Sequence, residues 1–272
     1  MTDKPLPADS TAAQLIEHLA CPTCRGALTR TADGVYCEPC RHEYPFVDGI
    51  AVMTRLPGLA PDSEDGEAGD VMLENQLRRD RQDLESGRRI RRQRRELHIV
   101  TAFLSELPAS ETLLDLGCRG GRFSGPMQSA ARLLIEADRH IPVVRHAIGN
   151  AMNPARVAGL VCEPERLPFA NGTLDGVVCV RLSHRIDGAG RRERLLHELL
   201  RVSSTFTLFS FSETNSLPNA SRRIRRRPIH DGTMRVDRIA EIAESHGARI
   251  VHSATVSPFG SRHCFVSLEK TR

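Results

Sequence analysis

The spacing of apolar and polar positions changes several times along this chain, and each change predicts a different kind of element. A short amphipathic stretch at residues 12–19 precedes a region, residues 21–53, that reads as short strands and turns punctuated by Gly26, Gly34 and Gly49. Residues 56–70 turn to proline, glycine and acid (Pro57, Pro61, Asp62, Glu64, Asp65, Glu67, Asp70), the composition of a solvated linker. Over residues 71–107, Leu73, Leu77, Leu84, Leu97, Val100 and Leu104 recur near multiples of about 3.6 residues, which predicts helix, and Gly87 divides it. After Pro108, strand-length runs (ETLLDLGC, ARLLIEAD, ARVAGLVCE, TLDGVVCVRL, SSTFTLFSFS) alternate with helix-length segments, as βα units around a mostly parallel sheet do. The last two runs, ARIVHSATVS and RHCFVSLEK, are joined by a PFGS turn too short to cross over between parallel strands, so they are expected to be antiparallel. The expected division is an N-terminal unit at 1–55, an acidic linker at 56–70 and a C-terminal α/β domain at 71–272 with a helical lead-in.

Composition narrows the class. At 272 residues the chain has room for one catalytic-sized domain and a small module. Its 40% hydrophobic and 26% charged residues are those of a globular protein. No run approaches the roughly 20 apolar residues of a membrane span, and the opening MTDKPLPADSTAAQ lacks the layout of a secretion signal; the expectation is a cytoplasmic protein. A formal net charge of +4 is too mild to imply nucleic acid by itself. Lys4 and Lys270 are the only lysines, so the positive charge is almost all arginine.

Of eight cysteines, Cys118, Cys162, Cys179 and Cys264 fall in apolar strand-like runs, where a thiol acts as a small buried hydrophobe. The other four, Cys21, Cys24, Cys37 and Cys40, form two C-x2-C pairs twelve residues apart. Two such pairs place four thiolates around one point and fit a structural zinc site with no open position; redox C-x2-C or a disulfide pair is the alternative. His42 lies nearby and is expected on the surface. The stretch LACPTCRGAL…CEPCRHEYPFVDGIAVM, residues 19–53, resembles the small zinc-ribbon proteins that accompany or activate methyltransferases, down to Tyr44, Pro45, Asp48, Gly49 and Ile50. It is also similar to the N-terminal zinc finger of ribosomal RNA guanine-N1 methyltransferases.

The run Leu113-Leu114-Asp115-Leu116-Gly117-Cys118-Arg119-Gly120-Gly121 leads an apolar strand into a glycine-rich turn, where the backbone can approach a ligand closely. It resembles motif I of class I S-adenosylmethionine-dependent methyltransferases, with Arg119 standing where that family has glycine. Further segments follow in the family's order. LLIEAD ends in Asp138, an acceptor-only carboxylate suited to a ribose diol, with Glu136 as fallback. Residues 162–169 resemble the family's G-D-A-x-x-L-P-F segment, which implies Glu163 at the adenine. Residues 171–178 resemble its turn and fourth strand, where Asp175 is as readily a strand-entry cap, and HELLRV at 197–202 resembles its next helix. The Pro-Gly-Gly turn that normally follows is replaced by Ser203-Ser204-Thr205. The resemblance implies a Rossmann-like doubly wound α/β fold with an antiparallel last strand. It also implies S-adenosylmethionine as cofactor, with Asp115, Gly117, Cys118, Gly121, Asp138 and Glu163 as its binding residues.

The activated sulfonium needs a positioned nucleophile more than a catalytic group, so no catalytic residue is carried over. In this family the segment Arg181-Leu182-Ser183-His184-Arg185 faces the transferred methyl, which makes His184 a candidate base or substrate contact; a histidine without chemistry is the more ordinary reading. Two arginine runs remain: Arg88, Arg89, Arg91, Arg92, Arg94 and Arg95, and then Arg222, Arg223, Arg225, Arg226 and Arg227. Together they suit a phosphate-bearing acceptor such as RNA, although aromatic residues are sparse near both. With Asp80, Asp83, Glu85 and Glu96 close by, the first run also reads as a solvated helix face. The rival class of function is a non-catalytic scaffold in which Arg119 and the missing Pro-Gly-Gly turn record lost activity.

Overall fold

The computed structural model describes residues 10–54, 70–71, 73–75, 77–78, 86–229, 232–257 and 261–271. The expected linker, apart from residue 70, lies outside the described residues, as does much of the helical lead-in before Gly87. The N-terminal unit opens with α1 (Thr11–Ile16), whose Ser10 side chain caps the amide of Ala13 at 3.2 Å. There follow β1 (Thr29–Arg30), β2 (Gly34–Cys37), β3 (His42–Val47) and β4 (Ile50–Val52), paired antiparallel in sequence order.

After α2 (Gly87–Ser105) come β5 (Ser110–Leu116), α3 (Ser124–Ala130), β6 (Ala131–Asp138), α4 (Ile141–Gly149), β7 (Val157–Val161), β8 (Leu174–Cys179), α5 (Ala189–Val202) and β9 (Ser203–Glu213). The chain ends with α6 (Leu217–Ile224), β10 (Thr233–Met234), α7 (Val236–Ser245), β11 (Ala248–Thr255) and β12 (His263–Lys270). The strand order is β1-β2-β3-β4-β7-β6-β5-β8-β9-β12-β11, with β10 beside β9. From β7 to β9 the strands are parallel; β12 is antiparallel to both β9 and β11, as the short turn predicts. This is the Rossmann-like doubly wound sheet that the resemblance implies, built on the alternating strands and helices the pattern predicts.

Alternation along the strands divides the core between the two faces. Leu113, Leu134 and Phe206 pack with Val100, Phe103 and Met127 of α2 and α3, while Leu114, Ile135 and Leu160 pack on the other face with Leu195, Leu199 and Ile239 of α5 and α7. That second core is shared with Leu15, Leu19, Val35, Tyr44 and Met53 of the N-terminal unit.

The N-terminal unit also extends the sheet. β4 pairs parallel with β7 in the register Ile50↔Gly159, Ala51↔Leu160 and Val52↔Val161, and the Met53 amide continues the ladder to the Val161 carbonyl at 2.8 Å. Gly159 permits this approach, because a Cβ there would lie 2.8 Å from Ile50 and from Ile148. A second contact runs along residues 166–169: the Ala20 amide donates to the Pro168 carbonyl at 2.9 Å, Leu19 bridges Phe169, and Arg25 reaches the Leu167 carbonyl and Glu198.

Candidate functional site

The four knuckle cysteines converge as their spacing predicts. Their Sγ atoms all lie within 4.8 Å of one another, with Cys21 to Cys40 at 3.7 Å and Cys24 to Cys37 at 3.5 Å. A disulfide needs about 2.05 Å, whereas four sulfurs on one zinc at about 2.3 Å stand roughly 3.8 Å apart, so the spacing fits the metal. Amides of Thr23 and Gly26 point at Cys21 and Cys24, each at 3.4 Å, and the Tyr44 hydroxyl lies 3.4 Å from Cys21, all suited to thiolate charge. His42 stacks edge-on against Tyr44 and is not among the clustered ligands. Elsewhere, Cys118, Cys162 and Cys179 are buried, and burial pushes each thiol up; Cys264 is half-buried and pushed up to about 11.

A cleft of about 230 Å³ opens at the carboxyl ends of β5, β6, β7 and β8. This is where strand order reverses between β5 and β8, the usual ligand position in a doubly wound sheet. Gly117 and Asp138 line it directly. The turn after β5 is anchored by the Gly117 and Cys118 amides, which both donate to the Ala137 carbonyl at 2.8 and 3.1 Å. Gly117 is left-handed at φ 78°, which leaves its bare backbone facing the cleft. One Asp138 oxygen takes the Arg139 amide at 2.8 Å, and the residue lines the cleft; burial holds its pKa above the usual range.

The other expected cofactor residues, Asp115, Cys118, Gly121 and Glu163, are not among the residues that line this cleft. Asp115 and Cys118 lie buried behind the turn; Gly121, at φ 73°, packs against Ser124 and Ala147. Glu163 lies in sequence between the lining residues Cys162 and Pro164 and is paired with Arg139 at 3.0 Å. Glu136, the fallback for the ribose, is fully buried and accepts from the Ser124 hydroxyl, away from the opening. Asp175 accepts the Glu111 and Thr112 amides at 2.7 and 3.0 Å, which makes it the strand-entry cap.

Arg119 occupies the left-handed region at φ 56°, the conformation a glycine would adopt without strain, and its side chain lines the cleft. A non-glycine residue there costs about 1–2 kcal/mol. Replacing it by glycine, Arg119→Gly, is expected to raise the melting temperature by a few degrees. Its effect on S-adenosylhomocysteine affinity, read by calorimetry, separates crowding (tighter binding) from contact with the ligand (weaker binding).

His184 does not line the cleft among the described residues; its ring packs 5.2 Å from that of His263. Burial, then the positive charges of His263, Arg185, Arg181 and Arg119, holds its pKa down at about 3, so it is neutral at pH 7. Sequence reasoning missed what surrounds it. Glu96, read as part of a solvated helix face, is fully buried and is shared by Arg122, by Arg181 at 3.0 Å and by Arg92 at 4.0 Å. Arg95 donates to the Val256 carbonyl at 3.0 Å and Arg92 is half-buried, while Arg88, Arg89, Arg91, Arg94 and Arg95 are exposed. Arg223, Arg225, Arg226 and Arg227 are exposed, and Arg222 donates to the Pro228 carbonyl. The signal available in sequence was Arg181 itself, the second residue past a strand that ends at the cleft.

Residues 114–205 match the methyltransferase-domain family. Over 103 residues, 38% of this chain, the sequence is 27% identical to a tRNA (carboxymethyluridine(34)-5-O)-methyltransferase of Arabidopsis thaliana. The chain spans about a quarter of that protein's length, 24%. A 43-residue stretch, 15% of the chain, is 46% identical to a UPF0434 protein of Methylobacillus flagellatus and covers 72% of it. Among solved structures, the magnesium protoporphyrin IX methyltransferase of Synechocystis PCC 6803 with bound SAH superposes with a TM-score of 0.60. That match has 17% identity and covers 75% of this chain and 98% of that one, a likeness of fold. Among the described residues no helix is long and apolar enough to cross a membrane.

Proposed function

We propose that this chain, which carries a methyltransferase domain and belongs by its 43-residue stretch with the UPF0434 proteins, transfers the methyl group of S-adenosylmethionine to an acceptor bound in the cleft. The observation that carries the reading is Asp138, an acceptor-only carboxylate residue that lines the cleft beside the left-handed Gly117 turn, where the order of strands reverses.

The residues fit the cofactor. Asp138 would take the ribose hydroxyls, Gly117 would let the chain approach the methionyl end, and Cys162 and Glu163 would border the adenine. Asp115 holds a buried carboxyl oxygen without a hydrogen bond behind that turn, an orphaned polar atom at the place where the cofactor would sit. When bound, S-adenosylmethionine supplies a methyl group on a positively charged sulfur, already activated toward a nucleophile. The chain's part is to orient and to exclude water. The Arg181 amide bonds Ser210 Oγ at 2.8 Å, Ser183 Oγ bonds the Ser210 carbonyl at 2.9 Å, and Arg192 holds the Ile186 carbonyl at 2.8 Å, which together fix the turn that walls the acceptor side. Neutral His184 beneath that turn would be available as a base only to an acceptor that reaches it.

For the N-terminal cysteines we infer one structural zinc per chain, supported by the converging sulfurs. RNA is the acceptor to test first, because the relative matched over 103 residues is a tRNA methyltransferase and the exposed arginines after α6 suit phosphate. Calorimetry with S-adenosylhomocysteine is expected to show micromolar binding, about −8 kcal/mol. Asp138→Ala should weaken it about a hundredfold through loss of two charge-assisted hydrogen bonds. Radiolabelled methyl transfer to fractionated RNA, protein and small-molecule pools would then identify the acceptor. A wild-type protein that takes up no cofactor would instead establish the scaffold reading.

A further inference from the structure

Arg181 is a buried cation that the protein leaves underused. The residue lines the cleft; its side chain is 14% exposed and makes no hydrogen bond to protein among the described residues, with one ion contact, Glu96 at 3.0 Å. A guanidinium carries five N–H donors in a planar fork that matches carboxylate or phosphate. Glu96 does not exhaust them, because the same carboxylate already accepts from Arg122 and stands 4.0 Å from Arg92. The backbone is committed to this placement as well. Arg181 is left-handed at φ 63° and Arg119 at φ 56°, two strained non-glycine positions that end neighbouring strands and line one cleft. Strain of this kind persists where the surroundings impose it and gathers at ligand sites. Burial and the positive charges of Arg92, Arg122 and Arg119 hold the Arg181 pKa down at about 10, so the side chain stays charged at neutral pH.

We propose that Arg181 seats an anionic group, a carboxylate or a phosphate, carried by the methyl acceptor. The inference rests on the reading of the cleft as a cofactor-and-acceptor site. Its chemistry could also be met by the cofactor's own carboxylate, and the test separates the two sources.

The probe is inorganic pyrophosphate, titrated by calorimetry into the full zinc-loaded chain saturated with S-adenosylhomocysteine. Wild type is expected to bind it, Arg181→Gln to bind at least about tenfold more weakly, and Arg181→Lys, with the charge kept but the fork lost, about threefold more weakly. S-adenosylhomocysteine affinity should be the same in all three. Weaker S-adenosylhomocysteine binding in Arg181→Gln, with pyrophosphate binding retained, would overturn the proposal by assigning the arginine to the cofactor. Unchanged pyrophosphate affinity in both variants would overturn it by removing the seat. Should Arg181→Gln fail to fold, Arg181→Lys, which preserves the contact with Glu96, decides between these outcomes. Absence of S-adenosylhomocysteine binding in wild type would refute the methyltransferase reading separately, a result that does not depend on Arg181.

Discussion

Stripping the zinc proposed for Cys21, Cys24, Cys37 and Cys40 is expected to lower the melting temperature of the whole chain by about 10 °C, well beyond a loss of its first fifty residues. A structural zinc site contributes on the order of 10 kcal/mol to the folding of the segment that carries it. Here that segment is continuous with the catalytic sheet: β4 lies against β7, Leu15, Leu19 and Tyr44 share the core with Leu114 and Leu160, and Arg25 binds the Leu167 carbonyl. If about 3–4 kcal/mol of that coupling reaches the C-terminal domain, a shift of this size follows for a domain of its length. The cleft should respond too, since β7 leads directly into Cys162 and Pro164. Scanning calorimetry before and after a strong chelator, with S-adenosylhomocysteine affinity measured alongside, checks both. A main transition that stays in place, with only a small early transition lost, would show the two units to be thermodynamically separate.

The second large effect concerns pH. Asp115 and Glu136 are direct cross-strand partners on the face under α3, with Asp138 two residues further along the same face. Burial pushes Glu136 up to about 7 against the hydrogen bond from Ser124, and burial together with the charges of Glu136 and Asp138 raises Asp115 well above the carboxylate range. A carboxyl whose folded pKa is raised holds its proton more tightly in the native state. Its contribution is therefore fully present below the unfolded value near 4.5 and is lost as pH rises through about 7. A shift from 4.5 to about 7 corresponds to roughly 3 kcal/mol. The cofactor-free protein should thus melt about 10 °C lower at pH 8.5 than at pH 5 on this account. Glu136→Gln keeps a partner for Ser124, carries no charge, and should remove most of that slope while raising stability at high pH. Parallel melting curves for Glu136→Gln and wild type across this range would refute the assignment.

The parts of this molecule that depend on local pattern were legible in the sequence. Alternation and turn length were enough for β5 to β9 and for the antiparallel β11–β12 pair, because each run states its own periodicity. Asp138 was reached through the resemblance, which implies an acid at the end of the second strand, and the sheet carries that strand end to the cleft. What escaped depends on contacts between distant segments. Glu96 has the sequence surroundings of a surface acid, and only the approach of Arg122 and Arg181 draws it inside. Glu136 and Asp138 are two residues apart and equally acidic, yet α3 covers the first and leaves the second at the opening. The pairing of β4 with β7 had one faint signal, Gly159 in the middle of an otherwise β-branched and aliphatic strand.

That pairing also bears on how the chain avoids sticking to itself. Without the N-terminal unit, β7 would end the sheet as the short run Val-Ala-Gly-Leu-Val, buried along its whole length here and devoid of charge or proline. Bare strand borders of that composition recruit strands from other molecules. Because β4 occupies this border, the N-terminal unit covers a strand edge that would otherwise be open to such recruitment.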